Sequence, residues 1–466
     1  MSYPRFMLAA TARGSGKTLI TCGSLKLLKD RGMKVSSFKC GPDYIDPMFH
    51  AKVLETVSRN LDTFFTEEEM TCYLFARTAQ QTDLSVMEGV MGFYDGLGGV
   101  DVKASAYDLA RVTDTPVILI LNAKGMSLSV LAQIRGFLSY RRDSHIRGVI
   151  LNQMSGMLCK ALTPQIEQEL GVKVYGYVPP IPDWKLESRH LGLVLPDEVE
   201  DLQQQLQRLA AILENSLDVE GLLALAQSAP ELSAPCPSDL EQLLSGREAE
   251  AVRRAAPEIA VAKDEAFCFL YKDNLRLLEE LGARIVPFSP LHDSKVPPGI
   301  AGMLLPGGYP ELYAKELSDN KSMLGSIKEC VDNGVPTLAE CGGFMYLHRE
   351  MENMEKEVFQ MAGVIDGRAY HTEKLGRFGY ITLTPADEEK SGRSIVRGHE
   401  FHYFDSTSCG EDYVARKPAG RRSWKCIHAK GNLMAGFPHL YYYSNPEFVL
   451  DFLKKCCEGQ ERNTNQ

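Results

Sequence analysis

Over the first ~195 residues, short apolar runs alternate with longer stretches of helical spacing. The runs at 5–10, 35–39, 83–88, 116–122 and 148–152 mostly have a continuous apolar centre rather than an in–out alternation. Unbroken runs of that length suit strands of a parallel sheet covered on both faces. Between them lie helical candidates such as 18–29, which Gly32 ends. The pattern predicts a doubly wound α/β domain. From about Pro196 it changes: 202–225 carries Gln, Leu and Ala at helical spacing, and 228–238 holds three prolines among Ser, Ala and Glu. A helix followed by a linker is expected there. A second α/β region begins near Ile259, with strands expected at 259–262, 284–288, 302–305 and 336–339. After Val364 the segments become shorter and β-rich, as at 379–383, before a closing helix at 446–455. The expected division is 1–195, a helical connector and linker at 196–256, and 257–466.

At 466 residues the chain exceeds one ordinary core, and its length alone suggests two to four domains. Hydrophobic residues make up 44% and charged residues 24%, the profile of a soluble globular protein. A net charge of -10 argues against general nucleic-acid binding, which needs a basic surface. Residues 1–10 lack the flanks of a signal peptide, and no apolar run approaches the ~18 residues of a membrane span. A cytoplasmic protein with no membrane partner is expected. The twelve cysteines are scattered without a CxxC pair, so buried free thiols are the default. Cys341 is the exception.

Two motifs carry chemistry. Ala10-Thr11-Ala12-Arg13-Gly14-Ser15-Gly16-Lys17-Thr18 lies between an expected strand and an expected helix, the setting of a phosphate-binding loop. Backbone N–H groups of such a loop close around phosphate oxygens, Lys17 reaches the outer phosphates, and the Thr18 hydroxyl ligates Mg²⁺. Thr11 stands where the first glycine of the usual pattern would be. Mg²⁺ takes one or two carboxylates beside the phosphates. Glu88, ending one strand run, and Asp43, just after another, are the candidates.

The second motif is Pro336-Thr337-Leu338-Ala339-Glu340-Cys341-Gly342-Gly343, a strand, a tight turn and a helix start. A thiol on such an elbow is presented to substrate, and the Gly342 N–H points at the developing oxyanion. A second donor is expected from Leu305-Pro306-Gly307-Gly308, at Gly308. The thiol needs a base. His439 is the candidate, although His399 and His402 stand nearly level with it on the residues alone. The i, i+3 spacing of those two is not that of a zinc-protease helix, so no metal is expected there.

With both motifs in view, the chain resembles the cobyrinic acid a,c-diamide synthase family over nearly its whole length. The resemblance rests on the loop, on Lys39-Cys40-Gly41-Pro42-Asp43-Tyr44-Ile45-Asp46-Pro47, on Met87-Glu88-Gly89-Val90-Met91-Gly92-Phe93-Tyr94-Asp95-Gly96, on Ala339-Glu340-Cys341-Gly342-Gly343, on the 398–403 stretch and on the His439 region. It implies a P-loop ATPase related to dethiobiotin synthetase, followed by a class I-like glutamine amidotransferase domain. It further implies Cys341 as nucleophile, His439 as base, Asp43 and Glu88 at the Mg²⁺ positions, and Asn152 near the adenine. ATP, glutamine and a corrin polycarboxylate would be the small-molecule partners, and a homodimer is compatible with this. Lys39 or Arg13 would meet carboxylate or phosphate, Tyr44 and Ile45 would line an apolar wall against the macrocycle, and the 398–403 histidines and aromatic would help hold it.

The chain departs from the family at Ala10, where a glycine is usual, at Arg13, where a small polar residue is usual, and at Tyr441. An acid stands at this last place in most thiol amidotransferases, and a second histidine often does in the family resembled. The alternatives keep the reaction and change the acceptor, to nickel-sirohydrochlorin, hydrogenobyrinic acid or a cell-wall precursor. A P-loop switch protein of the partitioning type is the rival from another class. It lacks a thiol elbow and carries an extra loop lysine absent here.

Overall fold

The computed structural model describes residues 1–181, 196–387 and 395–464. It divides into two compact units, Met1–Pro237 and Ser238–Gln466. That division falls inside the stretch expected as a connector.

The first unit is built on seven parallel strands: β1 (Arg5–Ala10), β2 (Val35–Cys40), β3 (Val57–Leu61), β4 (Leu84–Glu88), β5 (Val117–Asn122), β6 (Ile146–Asn152) and β7 (Lys173–Val178). Their order is β3-β2-β4-β1-β5-β6-β7. Every residue of β1, β2 and β4 is buried, as two covered faces require. The chain leaves β1 past β4 to β2 and later returns on β1's other side, so the carboxyl ends of β1, β2 and β4 open together. In open α/β sheets that edge binds ligands.

Residues 202–225 do not form one helix. Pro196–Ser216 and Val219–Gln227 are separate helices, broken where the Asp218 carboxylate caps the second by accepting the Gly221 N–H at 2.9 Å. Leu206, Leu209 and Leu213 of the longer helix join the core around Ile20, Leu25 and Leu28. Its close approach to the helix Lys17–Asp30 uses Gly23, where a Cβ would lie 2.6 Å from Leu213 Cδ1 and 2.7 Å from Leu209 Cγ.

The second unit opens with the helices Ser238–Ser245 and Arg247–Ala255, then places β8 (Glu258–Ala262), β9 (Arg284–Phe288), β10 (Gly302–Leu305) and β11 (Thr337–Glu340) in one parallel sheet. Leu433–Gly436 extends it beside β11, and His428–Lys430 closes that edge antiparallel. Two smaller sheets of short strands occupy 348–440. One of them pairs Val396–Phe401 with His439–Leu440 and sets His399 opposite His439. The closing helix runs longer than expected, from Pro446 to Thr464. Among the described residues no helix is long and apolar enough to cross a membrane.

Candidate active sites

β1 ends at Ala10, and the loop that follows turns on Gly14 (φ +78°) and Gly16 (φ +92°) before Lys17 opens the helix. These φ values lie in the left-handed region, where glycine has no Cβ to clash. A Cβ at Gly16 would also strike the Asn152 carboxamide. Asn152, at the end of β6, donates its Nδ2 to Ser15 O at 2.9 Å. The residue expected near the adenine thus supports the loop backbone. Arg13 is exposed on the loop.

Beneath the loop lies a buried set of charges. The Thr18 hydroxyl donates to Glu88 Oε1 at 2.7 Å, and Lys39 Nζ donates to the same oxygen at 2.8 Å. Lys39 also pairs with Asp46, and His50 Nε2 stands 3.7 Å from Glu88 Oε2. Register places Lys39 here, since β2 and β4 pair it directly with Glu88. Lys17 donates to the Met91 carbonyl, and burial followed by the Lys39 charge lowers its amine to about 8. Asp43 accepts the Asp46 N–H at 3.1 Å, and burial and then Asp46 raise its carboxyl to about 6. Glu88 and His50 are both 0% exposed, and Glu88 Oε2 and both His50 nitrogens lack a hydrogen-bond partner. Burial lowers the His50 imidazole to about 4, so it is neutral.

Three expectations for the acceptor change. Lys39 is buried in ion pairs rather than open to a ligand. Tyr44 is 7% exposed, and Ile45 packs against the core of its own unit. Both belong to the turn into the helix Ile45–Lys52, whose apolar side closes on the sheet. Asp46 and His50 were missed, although their i, i+4 spacing just beyond a strand end was a signal.

A hard cation fits this place. Thr18 and Glu88 supply oxygen donors only, and one Glu88 oxygen is unengaged. Among the described residues no group of three or more His, Cys, Asp or Glu could hold a metal.

In the second unit Cys341 sits between β11 and the helix Gly342–Leu347 with φ 45° and ψ −102°. Such a backbone costs a non-glycine residue about 1–3 kcal/mol and persists where surrounding structure over-determines it. Here the Cys341 N–H donates to Gly436 O at 2.8 Å, and Cys341 O accepts the Met345 N–H at 2.9 Å. The glycines around the elbow are tight. A Cβ at Gly342 would lie 3.1 Å from Gly308 N, and one at Gly343 would strike Leu305 O. The two expected oxyanion donors are therefore neighbours. A Cβ at Gly307 would strike His439 Cε1 while standing 3.4 Å from Cys341 Cβ. The Cys341 side chain and the imidazole converge over that glycine.

Burial, then Glu311 and Glu400, push the Cys341 thiol up, whereas burial, then His399 and His402, push His439 well down. Both are neutral at rest. The other histidines take supporting places. His399 stacks on His439 with ring centres 4.9 Å apart and 17° between planes. His402 engages Glu400 Oε2 through Nε2 at 2.9 Å and stacks on Phe437. Both are buried; strand pairing sets His399 opposite His439, and His402 lines a cavity with Arg377 and Asp405. Tyr441 packs edge-on against Tyr271. Glu340, missed in the sequence, brings its Oε2 to 4.0 Å from His439 Nδ1.

Known families match both units. The CobQ/CobB/MinD/ParA nucleotide binding domain covers residues 6–194, and the CobB/CobQ-like glutamine amidotransferase domain covers 258–447. Relatives named cobyrinate a,c-diamide synthase align over nearly the whole chain. That of Caldanaerobacter subterraneus is 39% identical over 458 residues, 97% of this chain and 98% of its own. That of Fusobacterium nucleatum is 38% identical over 95% and 98%, and that of Listeria innocua 37% identical over 96% and 98%.

Proposed function

The chain belongs to the cobyrinate a,c-diamide synthase family, and from that premise we propose that it amidates the a and c acetate carboxylates of cobyrinic acid, with nitrogen from glutamine and energy from ATP. Membership makes it a glutamine-hydrolysing ligase with an ATP-using nucleotide-binding domain. The acceptor, the intermediate and the residue roles are this proposal's own. The observation that carries it is the convergence of Cys341 and His439 over Gly307 at a strained elbow.

In the second unit the Cys341 sulfur attacks the glutamine amide carbon while His439 takes the thiol proton. The Gly342 and Gly308 N–H groups receive the oxyanion. His439 then gives its proton to the departing nitrogen, releasing ammonia, and water hydrolyses the thioester to glutamate. With thiol and imidazole both neutral at rest, proton transfer accompanies attack instead of preceding it.

In the first unit a substrate carboxylate attacks the γ-phosphorus of ATP, giving an acyl phosphate and ADP. Ammonia attacks the acyl carbon, and phosphate leaves. The loop N–H groups hold the phosphates, and Lys17 exchanges the Met91 carbonyl for a phosphate oxygen. Thr18 and Glu88 would hold magnesium, with Asp43 nearby, and the ion would neutralise phosphate charge. Positioning and charge neutralisation supply most of the acceleration in such transfers. Two amides consume two glutamines and two ATP.

The test is mass spectrometry of products from purified protein, ATP, Mg²⁺ and glutamine with candidate tetrapyrroles. Cobyrinic acid should give a monoamide and then a diamide. Clean turnover of nickel-sirohydrochlorin beside none of cobyrinic acid would move the acceptor and leave the chemistry unchanged.

A further inference from the structure

An imidazole that serves as base needs a partner to fix its tautomer and orientation. The place two residues after His439, where an acid is common, holds Tyr441. We propose that Glu340, the residue before the nucleophile, is the positioning residue for His439. Its carboxylate takes the Nδ1 side of the ring and leaves the other nitrogen to receive the thiol proton. This rests on the reading of Cys341 and His439 given above and supplies the group that reading lacks.

Three observations converge. Glu340 Oε2 stands 4.0 Å from His439 Nδ1. The Leu440 N–H, one residue beyond the imidazole that Glu340 faces, tempers the rise that burial imposes on the carboxyl. Its other oxygen is buried without a hydrogen-bond partner. Burying a carboxyl with so little compensation is costly. Its position ties it to the reaction: β11 ends at Glu340, and the next residue is the strained elbow. The 4.0 Å separation exceeds a hydrogen bond, but catalytic hydrogen bonds are commonly long without substrate and tighten on binding. The titratable groups around the carboxyl are His439 and Tyr442 on one side and Cys341 on the other, with His399 stacked behind His439. Burial lifts the Glu340 carboxyl to about 8. Only its ionised form accepts the Nδ1–H, so glutamine hydrolysis should rise with pH through that region.

The experiment compares full-length wild type with Glu340→Gln and Glu340→Asp, measuring glutamate release against pH and, separately, amidation driven by ammonium. Glutamine hydrolysis by Glu340→Gln should fall about 10- to 10³-fold in kcat, less than the loss that a triad amide substitution causes when a carboxylate is already in contact. Its KM should stay within about threefold, and the rise with pH should vanish. Ammonium-driven amidation should be unchanged. Glu340→Asp, which keeps the charge on a shorter arm, should recover part of kcat and of the pH rise. A wild-type kcat and pH profile in Glu340→Gln would overturn the proposal. So would equal loss with both nitrogen sources in both variants, which would make the residue a support of the fold. Failure of the elbow reading itself looks different: Cys341→Ala would then still hydrolyse glutamine.

Discussion

Cys341 and Lys17 lie in different units and serve different halves of the proposed reaction, so their loss should separate by nitrogen source. Cys341→Ala should abolish glutamine-driven amidation and leave ammonium-driven amidation near wild type. Lys17→Ala should lower amidation by several powers of ten with either source, through lost neutralisation of the transferring phosphoryl group. Rescue of Lys17→Ala by ammonium would remove that lysine from the ATP side. For magnesium, Glu88→Gln and Asp43→Asn should each raise the Mg²⁺ concentration needed for half-maximal rate, because each swap keeps shape and removes a charged oxygen. Glu88→Gln also removes one of the two carboxylates paired with the buried Lys39 ammonium, so the melting temperature of that variant should fall as well. Unchanged magnesium titrations in both variants would point to other ligands. The loop at Lys17 and the elbow at Cys341 were legible in the sequence because each motif couples its side chain to the glycines that the backbone turn needs. The Lys39–Glu88 pair was not, because strand register alone joins residues so far apart in sequence.

Strands show the same divide. β1, β4, β5 and β6 could be read because burial on both faces makes them largely apolar, and β2 showed through Val35 and Phe38 despite Ser36, Ser37 and Lys39. β3 and β7 could not, for they are the sheet's two edges. β3 carries Ser58, Arg59 and Asn60, and β7 is interrupted by Gly176. An edge strand need not be uniformly apolar, so hydrophobicity loses its signal there. The helix Pro196–Ser216 was legible as a helix, but its attachment was not, because that depends on a glycine in another helix. Gly23 faces Leu209 and Leu213 with no room for a methyl group. Gly23→Ala should therefore destabilise the first unit by about 1–3 kcal/mol, the usual cost of overpacking. Leu213→Ala alone should cost about 2–5 kcal/mol through its cavity, and the double variant should cost less than the two summed, since each change relieves the other. Thermal or denaturant unfolding reads all three. A neutral Gly23→Ala would mean that these helices are not tightly packed.

Across the whole molecule, the two compact units should respond to different ligands. A ligand that binds only the folded state stabilises it by about 2.7 kcal/mol at a hundred times its dissociation constant. MgATP should thus raise the unfolding temperature through Met1–Pro237, and a glutamine analogue that alkylates the elbow thiol should do so through Ser238–Gln466. Two variants sort the effects. Lys17→Ala should lose the MgATP shift and keep the alkylation shift, and Cys341→Ala should show the reverse. The charge cluster under the loop adds a further expectation for the first unit. The carboxylate Glu88 is engaged by Thr18 and Lys39 before any ligand arrives, so magnesium without nucleotide should stabilise little and MgATP much more. Calorimetric scans with Mg²⁺ alone, ATP with a chelator, and both together would measure that order. A full shift from Mg²⁺ alone would mean that Glu88 and its neighbours form a complete cation site, and the reading of an ion completed by phosphate oxygens would fall.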